Sequence, residues 1–273
     1  MLEARTPLKR VISASRRIDM VAGFPDQLAA LLEEKCPPEE THTVVLWTKN
    51  PSNLLEHDVL RRTLGRYALY LHFTITGLGS TLLEPNVPPA RQMLGLLGPL
   101  VDFIGSPQRI RIRFDPIVHL QADDGRTYCN LDKFEEIAAA AAELGILTFS
   151  ISWMCAYRKM VSRLRRNGLS EMPLSREERD QEYRHLLNLS SRYNIKLNCC
   201  SVPGLPVSRC IDGELLAELH PERLPCSTAK AKDQRADCGC TESFDIGWYH
   251  HCPHGCIYCY ANPAKVPEHA NEH

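Results

Sequence analysis

The sequence predicts an α/β fold: a partial (β/α)6 TIM-like barrel over residues 1–210, followed by a cysteine-rich extension over residues 211–273. Three observations predict it. Six short runs alternate between polar and apolar residues, as half-buried strands do, and helix start and stop signals separate them. Polar side chains recur on one face of these runs. Five of the twelve cysteines follow residue 237, which sets the extension apart.

The predicted strands are rich in β-branched and aromatic residues and are bounded by turn or helix signals. They cover residues 10–15, 43–48, 68–76, 109–115, 146–152 and 195–200. Because helices separate the strands, the sheet should be parallel, and a parallel sheet of strand–helix units closes naturally into a barrel. A doubly wound open sheet is the alternative, since periodicity carries no information about closure.

Residues that begin or end helices mark most of the intervening segments. The markers are Pro25, Asn50 with Pro51, Asn130 before the alanine-rich run 131–144, Gly145 after that run, and Ser175 with Glu178 as a capping box. Pro99 should break or kink the segment 89–105, because proline removes a helical hydrogen bond.

Composition limits the classes of protein to which the chain can belong. With 273 residues, 44% hydrophobic residues and a formal net charge of −1, the chain can bury one sizeable core but has no basic field to gather nucleic acid. The start lacks an apolar signal segment, and no stretch approaches the roughly 18 uninterrupted apolar residues of a membrane span. We expect a cytoplasmic protein with neither a nucleic-acid nor a membrane partner.

Alternate residues of the predicted strands place polar side chains together on one face of the sheet. They are Ser13, Ser15 and Arg17; His72, Thr74 and Thr76; Arg109, Arg111, Arg113 and Asp115; Thr148, Ser150 and Ser152; and Lys196, Asn198 and Cys200. In a barrel this face would point inward, where charges need partners, so we expect a zwitterionic ligand with a carboxylate and an amine. A structural layer of ion pairs is the alternative.

The most specific chemical pattern is a C-x3-C-x2-C triplet formed by Cys252, Cys256 and Cys259, with Tyr258 just before the last cysteine. Clustered cysteines in a reducing compartment favour metal ligation over disulfides. Three thiolates can hold three irons of a [4Fe–4S] cluster while the fourth iron chelates the amino and carboxylate groups of S-adenosylmethionine. The run resembles the cluster loop of the radical S-adenosylmethionine enzymes, which in their usual members lies near the N-terminus.

Four further cysteines could form a second site: Cys200, Cys210, Cys238 and Cys240. Four thiolates can close an auxiliary iron–sulfur cluster or a zinc site, and the last two could instead bind a soft substrate such as arsenite.

The chief rival interpretation is a zinc-binding or electron-transfer module. His250, His251 and His254 flank the triplet, and imidazole and thiolate both suit zinc. A large body with a polar interior argues against a mere carrier, and the histidines are more simply interpreted as residues that shield the cluster.

Seven further segments run through nearly the whole chain in a characteristic order. They are ISASRRID (12–19), LWTKNP (46–51), FTITG (73–77), EPNVPP (84–89), RFDP (113–116), CIDG (210–213) and DCGC (237–240). Together they resemble the bacterial family catalogued as domain of unknown function 1848. Its members are described as carrying a radical-S-adenosylmethionine-like cysteine motif at the C-terminus. One branch resembles the enzyme of arsinothricin biosynthesis, thought to move the 3-amino-3-carboxypropyl group of S-adenosylmethionine onto trivalent arsenic.

The resemblance implies that Cys252, Cys256 and Cys259 ligate the cluster and that Tyr258 lies beside the adenine. Matching segments and the polar strand face supply the remaining candidates, most of them at carboxyl ends of strands, where barrel enzymes keep their sites. The candidate catalytic residues are Arg17, Lys49 and Asp115, and the candidate cofactor-binding residues are Thr74, Thr76, Arg111, Arg113 and Ser150.

The sequence therefore predicts a noncanonical radical S-adenosylmethionine enzyme whose [4Fe–4S] cluster reductively cleaves the sulfonium. We expect transfer of the 3-amino-3-carboxypropyl group to a small, soft acceptor such as trivalent arsenic, as in antibiotic biosynthesis. The alternative is a 5′-deoxyadenosyl radical that abstracts hydrogen from a small molecule. The expected partners are a small-molecule substrate and an electron donor such as flavodoxin or ferredoxin.

Overall fold

The computed structural model describes residues 7–232, 234–249 and 252–261 of the 273-residue chain. Within these residues the strands are β1 (Arg10–Ala14), β2 (Thr41–Thr48), β3 (Leu69–Thr74), β4 (Ile110–Ile117), β5 (His119–Ala122), β6 (Thr127–Cys129), β7 (Thr148–Trp153), β8 (Leu169–Glu171), β9 (Lys196–Cys199) and β10 (Phe244–Asp245). The six predicted strands are confirmed as β1, β2, β3, β4, β7 and β9, and their ends lie within two residues of the predicted ends.

The helices follow the strands along the chain. They are α1 (Met20–Gly23), α2 (Pro25–Lys35), α3 (Ser52–Glu56), α4 (Asp58–Leu64), α5 (Ala90–Leu94), α6 (Leu97–Ile104), α7 (Phe134–Glu143), α8 (Arg158–Arg166), α9 (Arg176–Arg192) and α10 (Gly213–Leu219). Pro25 begins α2, and both hydrogen bonds of the Ser175–Glu178 capping box are present at the start of α9, as predicted.

Two predicted helix signals act differently from expectation. The Asn130 side chain does not cap a helix; it accepts a hydrogen bond from Val118 N (2.9 Å) and donates one to Thr76 O (2.8 Å), so it ties two loops of the sheet together. The break between α5 and α6 falls before Pro99, which occupies the first turn of α6. At that position a helical N–H has no partner to lose, so proline is tolerated.

Seven strands form one sheet in the order β10-β1-β2-β3-β4-β7-β9, and every neighbouring pair is parallel. From β1 to β9 the order follows the chain without reversing. The sheet is therefore singly wound, and the doubly wound alternative is wrong. In the described part of the chain β10 and β9 occupy the two edges and do not pair, so the sheet is open.

The two faces of the sheet differ, as the alternation predicted. One face carries Ile12, Leu46, Phe73 and Ile112, which share the main apolar core with side chains of the helices. Burying this face supplies most of the hydrophobic stabilisation, at roughly 25 cal/mol per Å² of apolar surface.

The C-terminal region packs over part of the opposite, polar face. Nε2 of His72 lies 2.9 Å from Cys210 O, Arg111 Nη1 donates to Arg209 O (2.6 Å), and Arg109 Nε donates to Leu219 O (2.9 Å). Polar side chains in the amino-terminal half of this face are therefore bonded to backbone carbonyls of the C-terminal region. The carboxyl end of the face can line a site.

A second, antiparallel sheet has the order β6-β5-β8 and follows directly after β4. Its strands are three or four residues long, too short for periodicity to indicate. The two-residue strand β10 was missed for the same reason. Among the described residues, no helix has the length and apolar character that crossing a membrane requires.

Candidate functional site

The cysteine triplet lies in a loop at the carboxyl ends of β1, β2 and β3. Its backbone makes two successive turns, in which Gly255 N donates to Cys252 O (3.2 Å) and Cys259 N donates to Cys256 O (3.2 Å). Cys256 is buried, while Cys252 and Cys259 are partly exposed. Gly255 has φ +64°, a conformation that favours glycine, so the loop can reverse direction between its first two cysteines.

Residues 83–86 hold this loop through hydrogen bonds to the backbone of the loop. Asn86 Nδ2 donates to Pro253 O (2.7 Å), Asn86 N donates to His254 O (3.3 Å), and Ile257 N donates to Leu83 O (3.2 Å). Backbone groups are held on both sides of Cys256, which fixes the position of that cysteine in the loop.

Asp19 holds the loop from the opposite side. Its carboxylate accepts from Thr48 Oγ1 (2.9 Å) and Lys49 N (2.8 Å), and His254 Nε2 lies 2.7 Å from the same oxygen. His254 is therefore bonded to a carboxylate. The other two candidate histidines, His250 and His251, lie outside the described residues.

Beneath the triplet lies a buried polar group that we call the Glu84 node: Glu84, Lys49, Thr76 and Tyr258. Glu84 Oε1 accepts from Lys49 Nζ (2.7 Å), from Thr76 Oγ1 (2.8 Å) and from the Tyr258 hydroxyl. The Glu84 side chain is 1% exposed and that of Lys49 is 16% exposed. Burial opposes ionisation of Glu84, but Lys49 and the two hydroxyl donors outweigh it and hold the pKa of the carboxyl below its usual value. Within the node, Glu84 and Lys49 therefore form an ion pair.

A second polar group lies at the carboxyl ends of β4 and β7. The Arg113 guanidinium and the Ser152 hydroxyl both donate to the Asp115 carboxylate. Arg113 also lies 5.1 Å from the ring centre of Trp47, which stacks on His72 at a centroid distance of 3.9 Å. In the sheet Ser150 pairs with Arg113, and the buried Ser150 Oγ has no hydrogen-bond partner among the described residues. An orphaned hydroxyl beside a charged pair is a place where a polar ligand could bind.

The remaining predicted site residues are less closely grouped. Arg17 has 41% of its side chain exposed, donates to Gly247 O (3.1 Å) and lies 3.9 Å from Asp245. Thr74 ends β3 and is partly exposed. Arg111 is buried against Arg209 O, so its contacts are those of a residue that holds the C-terminal region in place.

Cys252 and Cys256 of the triplet lie where burial disfavours ionised thiolates, so positive charge nearby is needed to stabilise the thiolate form. Burial raises the pKa of the Cys252 thiol to about 11. Burial also raises the pKa of the Cys256 thiol, and negative charge on Cys252 and Cys259 raises it further. The Lys49 ammonium acts in the opposite direction on Cys256. Arg163 of α8 donates to Cys259 O, which brings a second cation to the loop. Iron would supply the additional charge that stabilises three thiolates here.

The second group of cysteines is brought together as predicted, and we call Cys200, Cys210, Cys238 and Cys240 the thiol quartet. Cys210 Sγ lies 3.5 Å from Cys200 Sγ, and Cys210 N donates to Cys240 Sγ (3.2 Å). The neighbouring Cys240 thiol lowers the pKa of the Cys238 thiol to about 6, while its own pKa is raised. Across the described residues, no group of three or more His, Cys, Asp or Glu side chains is arranged so as to hold a metal ion.

Sequence reasoning missed three carboxylates that organise the site: Asp19, Glu84 and Asp245. Asp245 accepts from Ser13 Oγ (3.0 Å) and Ser15 Oγ (2.8 Å), so it fastens β10 to β1. Asp19 and Glu84 stand at the end of ISASRRID and the start of EPNVPP. Their position in those segments could have identified them as site residues. A carboxylate in a loop is usually exposed to solvent, however, so its residue type alone did not indicate a role.

Comparison with known proteins adds one result. The family model described as "Domain of unknown function (DUF1848)" matches residues 25–261, which include most of the strands and the whole cysteine triplet. No curated protein matches the chain.

Proposed function

The chain belongs to the DUF1848 family, whose description assigns no reaction, and from its site we propose that it is a radical S-adenosylmethionine enzyme. One observation carries the proposal: the C-x3-C-x2-C loop docks at the carboxyl edge of a singly wound parallel sheet, directly above a buried ion pair. We interpret this sheet as a partial (β/α)6 barrel with a cluster-binding C-terminal extension. Barrel enzymes bind substrates at that edge.

Three thiols in one loop are the ligand types that a [4Fe–4S] cluster takes on three of its irons. Cys252, Cys256 and Cys259 are successive in one loop whose backbone is held on both sides by hydrogen bonds. When bound, the cluster would supply one electron to S-adenosylmethionine chelated at its open iron, and reductive cleavage of a carbon–sulfur bond follows from that chemistry.

The chain's own residues supply charge and shielding for this site. Lys49 and Arg163 place positive charge beside Cys256 and Cys259, which offsets thiolate charge. Tyr258 is 6% exposed, so its ring covers the buried side of the loop. Water would be excluded from the sheet side of the cluster, where electrostatic interactions are strongest.

The group around Arg113 supports binding of a zwitterion. A carboxylate could replace Asp115 on the Arg113 guanidinium, and an amine could take the freed Asp115 carboxylate. The orphaned Ser150 hydroxyl lies at the same level of the sheet. S-adenosylmethionine carries both groups in its methionyl arm.

Among the reactions open to such an enzyme we favour transfer of the 3-amino-3-carboxypropyl group to a small, soft acceptor such as trivalent arsenic. The loop reaches the sheet from the C-terminal end of the chain and is fastened to Asp19 and to residues 83–86. A cluster held by Cys252, Cys256 and Cys259 would lie beside the polar face, and the carbon–sulfur bond that it cleaves decides between transfer and hydrogen abstraction.

Product analysis tests the proposal. The protein is reconstituted with iron and sulfide, reduced without oxygen, and given S-adenosylmethionine with and without arsenite. We expect methylthioadenosine, and an aminocarboxypropylated arsenical only when arsenite is present. The Cys256→Ala variant should form neither, while Cys155→Ala, which alters an exposed cysteine outside both groups, should behave as the native chain.

Two results would contradict parts of this account. Deoxyadenosine as the nucleoside product would replace transfer with hydrogen abstraction. An intact cluster that yields neither nucleoside would overturn the radical-enzyme assignment itself.

A further inference from the structure

The thiol quartet connects three separate parts of the chain. Cys200 follows β9, Cys210 precedes α10, and Cys238 and Cys240 lie in the segment that leads to β10. The sulfurs of Cys200 and Cys210 are in contact, and Cys210 N donates to the sulfur of Cys240, which is two positions from Cys238. Four thiols brought together in this way, in a chain without disulfides among the described residues, require a chemical explanation.

The spacing of the sulfurs distinguishes between the kinds of metal centre. Cys200 Sγ and Cys210 Sγ are 3.5 Å apart. Zinc–sulfur bonds of about 2.3 Å in a tetrahedron place neighbouring sulfurs about 3.8 Å apart. A four-iron cluster binds each thiolate to a different iron, so its cysteine sulfurs lie much farther from one another. The observed spacing disfavours a four-iron cluster and fits two thiolates on one metal ion. A two-iron cluster, which binds two cysteines on each iron, has the same spacing, and iron analysis distinguishes it from zinc.

Two backbone N–H groups approach the buried sulfur of Cys240. Cys210 N and Ile211 N both point to Cys240 Sγ, at 3.2 and 3.5 Å. Cys240 is 4% exposed, so these two N–H groups have no water to replace the sulfur. A neutral thiol is a weak acceptor, whereas a thiolate accepts such bonds strongly.

Guanidinium groups approach the other end of the quartet. Arg113 Nη1 lies 3.2 Å from Cys210 Sγ, and Arg235 Nη2 lies 3.8 Å from Cys200 Sγ. Four thiolates on a divalent ion keep a net charge of −2. Arg235 would offset part of that charge, and Arg113, whose guanidinium also pairs with Asp115, would offset part of the rest.

The Cys238–Cys240 pair is held close to residues 207–209 by the glycine between its cysteines. A Cβ at Gly239 would lie 2.9 Å from Ser208 O, and Gly239 N donates to that oxygen (3.1 Å). Only glycine allows this approach, which brings Cys240 to Cys210.

We propose that the thiol quartet binds one zinc ion in a closed tetrathiolate site that fastens the segments 200–211 and 238–240 together. The ion would draw the two end sulfurs, Cys200 and Cys238, toward the middle pair, and any thiol protons still present would be released. The site is separate from the cysteine triplet and does not rest on the proposed function.

Metal analysis of the protein as purified, without reconstitution and after dialysis against a chelator, tests this proposal. We expect about one zinc ion per chain, retained when all three triplet cysteines are replaced by serine. Cys210→Ser and Cys240→Ser should lose the zinc. Cys226→Ser is the matched control, because Cys226 is a buried thiol that contacts Gly213 O and no other cysteine.

A spectroscopic measurement keeps the proposal falsifiable if the buried variants fail to fold. Cobalt exchanged into the native protein should show the intense visible bands of a tetrahedral thiolate site, and Cys200→Ser, at a partly exposed position, should shift those bands. The proposal is overturned if the folded protein retains no zinc. It is also overturned if Cys210→Ser retains all of it, if iron and sulfide persist in the triplet variant, or if arsenite and not zinc fills the quartet.

Discussion

At the scale of single residues, Glu84 links the sheet to the cysteine loop. Its carboxylate accepts from Lys49 at the end of β2, from Thr76 after β3 and from Tyr258 within the loop. One buried charge thus satisfies donors from three separate segments. Removing either charge of a buried pair leaves the other without a partner, which costs far more than the pair contributes.

We therefore expect Glu84→Gln to lower the free energy of unfolding by about 3 kcal/mol, because Lys49 keeps its charge at a largely buried position. The double variant Lys49→Met with Glu84→Gln should recover most of that loss. Denaturant unfolding of both single variants and the double variant measures the coupling. Strictly additive effects would show that the two charges do not interact.

The pH dependence of this coupling follows from the two pKa shifts. Glu84 has a lowered pKa, so its contribution is complete above the unfolded value of about 4.3 and is lost as the pH falls through the native pKa. Burial lowers the pKa of Lys49, but Glu84, Cys256 and Asp115 raise it by more. The contribution of Lys49 is complete below about 10.4 and is lost as the pH rises through the native value. Repeating the cycle across pH should give a plateau between these limits, and a coupling that already declines near neutrality would contradict the assignment.

Residue-level roles were the hardest to predict from sequence. Lys49 and Thr76 were identified as site residues, but Glu84, which bonds to both, was not. Its partner Tyr258 is 174 positions away, and no local pattern connects two loops at that separation. The cysteine triplet was easier to single out, because few functions other than metal ligation require its spacing, and its role as a ligand set stays a prediction.

At the scale of elements, the cysteine loop depends on a close approach to α1. A Cβ at Gly23 would lie 2.7 Å from Pro253 Cγ, which is closer than unbonded carbons approach. Gly23→Ala should therefore displace Pro253 and the adjoining Cys252. We expect reconstituted Gly23→Ala to bind less iron and sulfide than the native protein while keeping its helical circular dichroism.

Gly65→Ala is the matched control for this prediction. Gly65 has helical backbone angles, and an added Cβ would make only ordinary contacts. The substitution should leave iron binding unchanged and stabilise the fold by about 0.5 kcal/mol, because alanine restricts the unfolded chain. Full iron binding by Gly23→Ala would show that the loop does not need this approach.

Six of the seven strands of the large sheet could be predicted, because most of them have five or more alternating residues, which specify a half-buried strand, as Arg10–Ala14 and Ile110–Ile117 illustrate. The small sheet has no such signal. The strand Thr127–Cys129 pairs with His119–Ala122 across a turn, and the two strands are joined by backbone hydrogen bonds. Tertiary pairing of this kind leaves no period in the sequence.

At the scale of the whole molecule, the C-terminal region completes the sheet. Phe244 pairs with Ile12, Asp245 binds Ser13 and Ser15, and Arg209 O receives the buried Arg111 guanidinium. The density of cysteines after residue 210 predicted a domain boundary there. The contacts described above join side chains and backbone groups that are more than 90 positions apart in the sequence. Long-range packing of this kind cannot be inferred from composition.

We expect a variant that ends at residue 206 not to fold cooperatively, since it removes α10 and β10 and uncovers His72 and Arg111 on the polar face. A variant that ends at Ala261 keeps every contact described above and should unfold as the full chain does. Thermal unfolding followed by circular dichroism compares the two. A cooperative transition in the shorter variant would show that the C-terminal region is a separable unit.

The central claim is that the triplet holds a cluster with one iron open to S-adenosylmethionine. Electron paramagnetic resonance of the reduced, reconstituted protein, with S-adenosylmethionine labelled at its methionyl amino and carboxylate groups, tests this most directly. We predict hyperfine coupling between the label and the cluster in the native chain, and no such coupling in Cys256→Ala. A reduced cluster whose spectrum shows no coupling to the label would contradict the account.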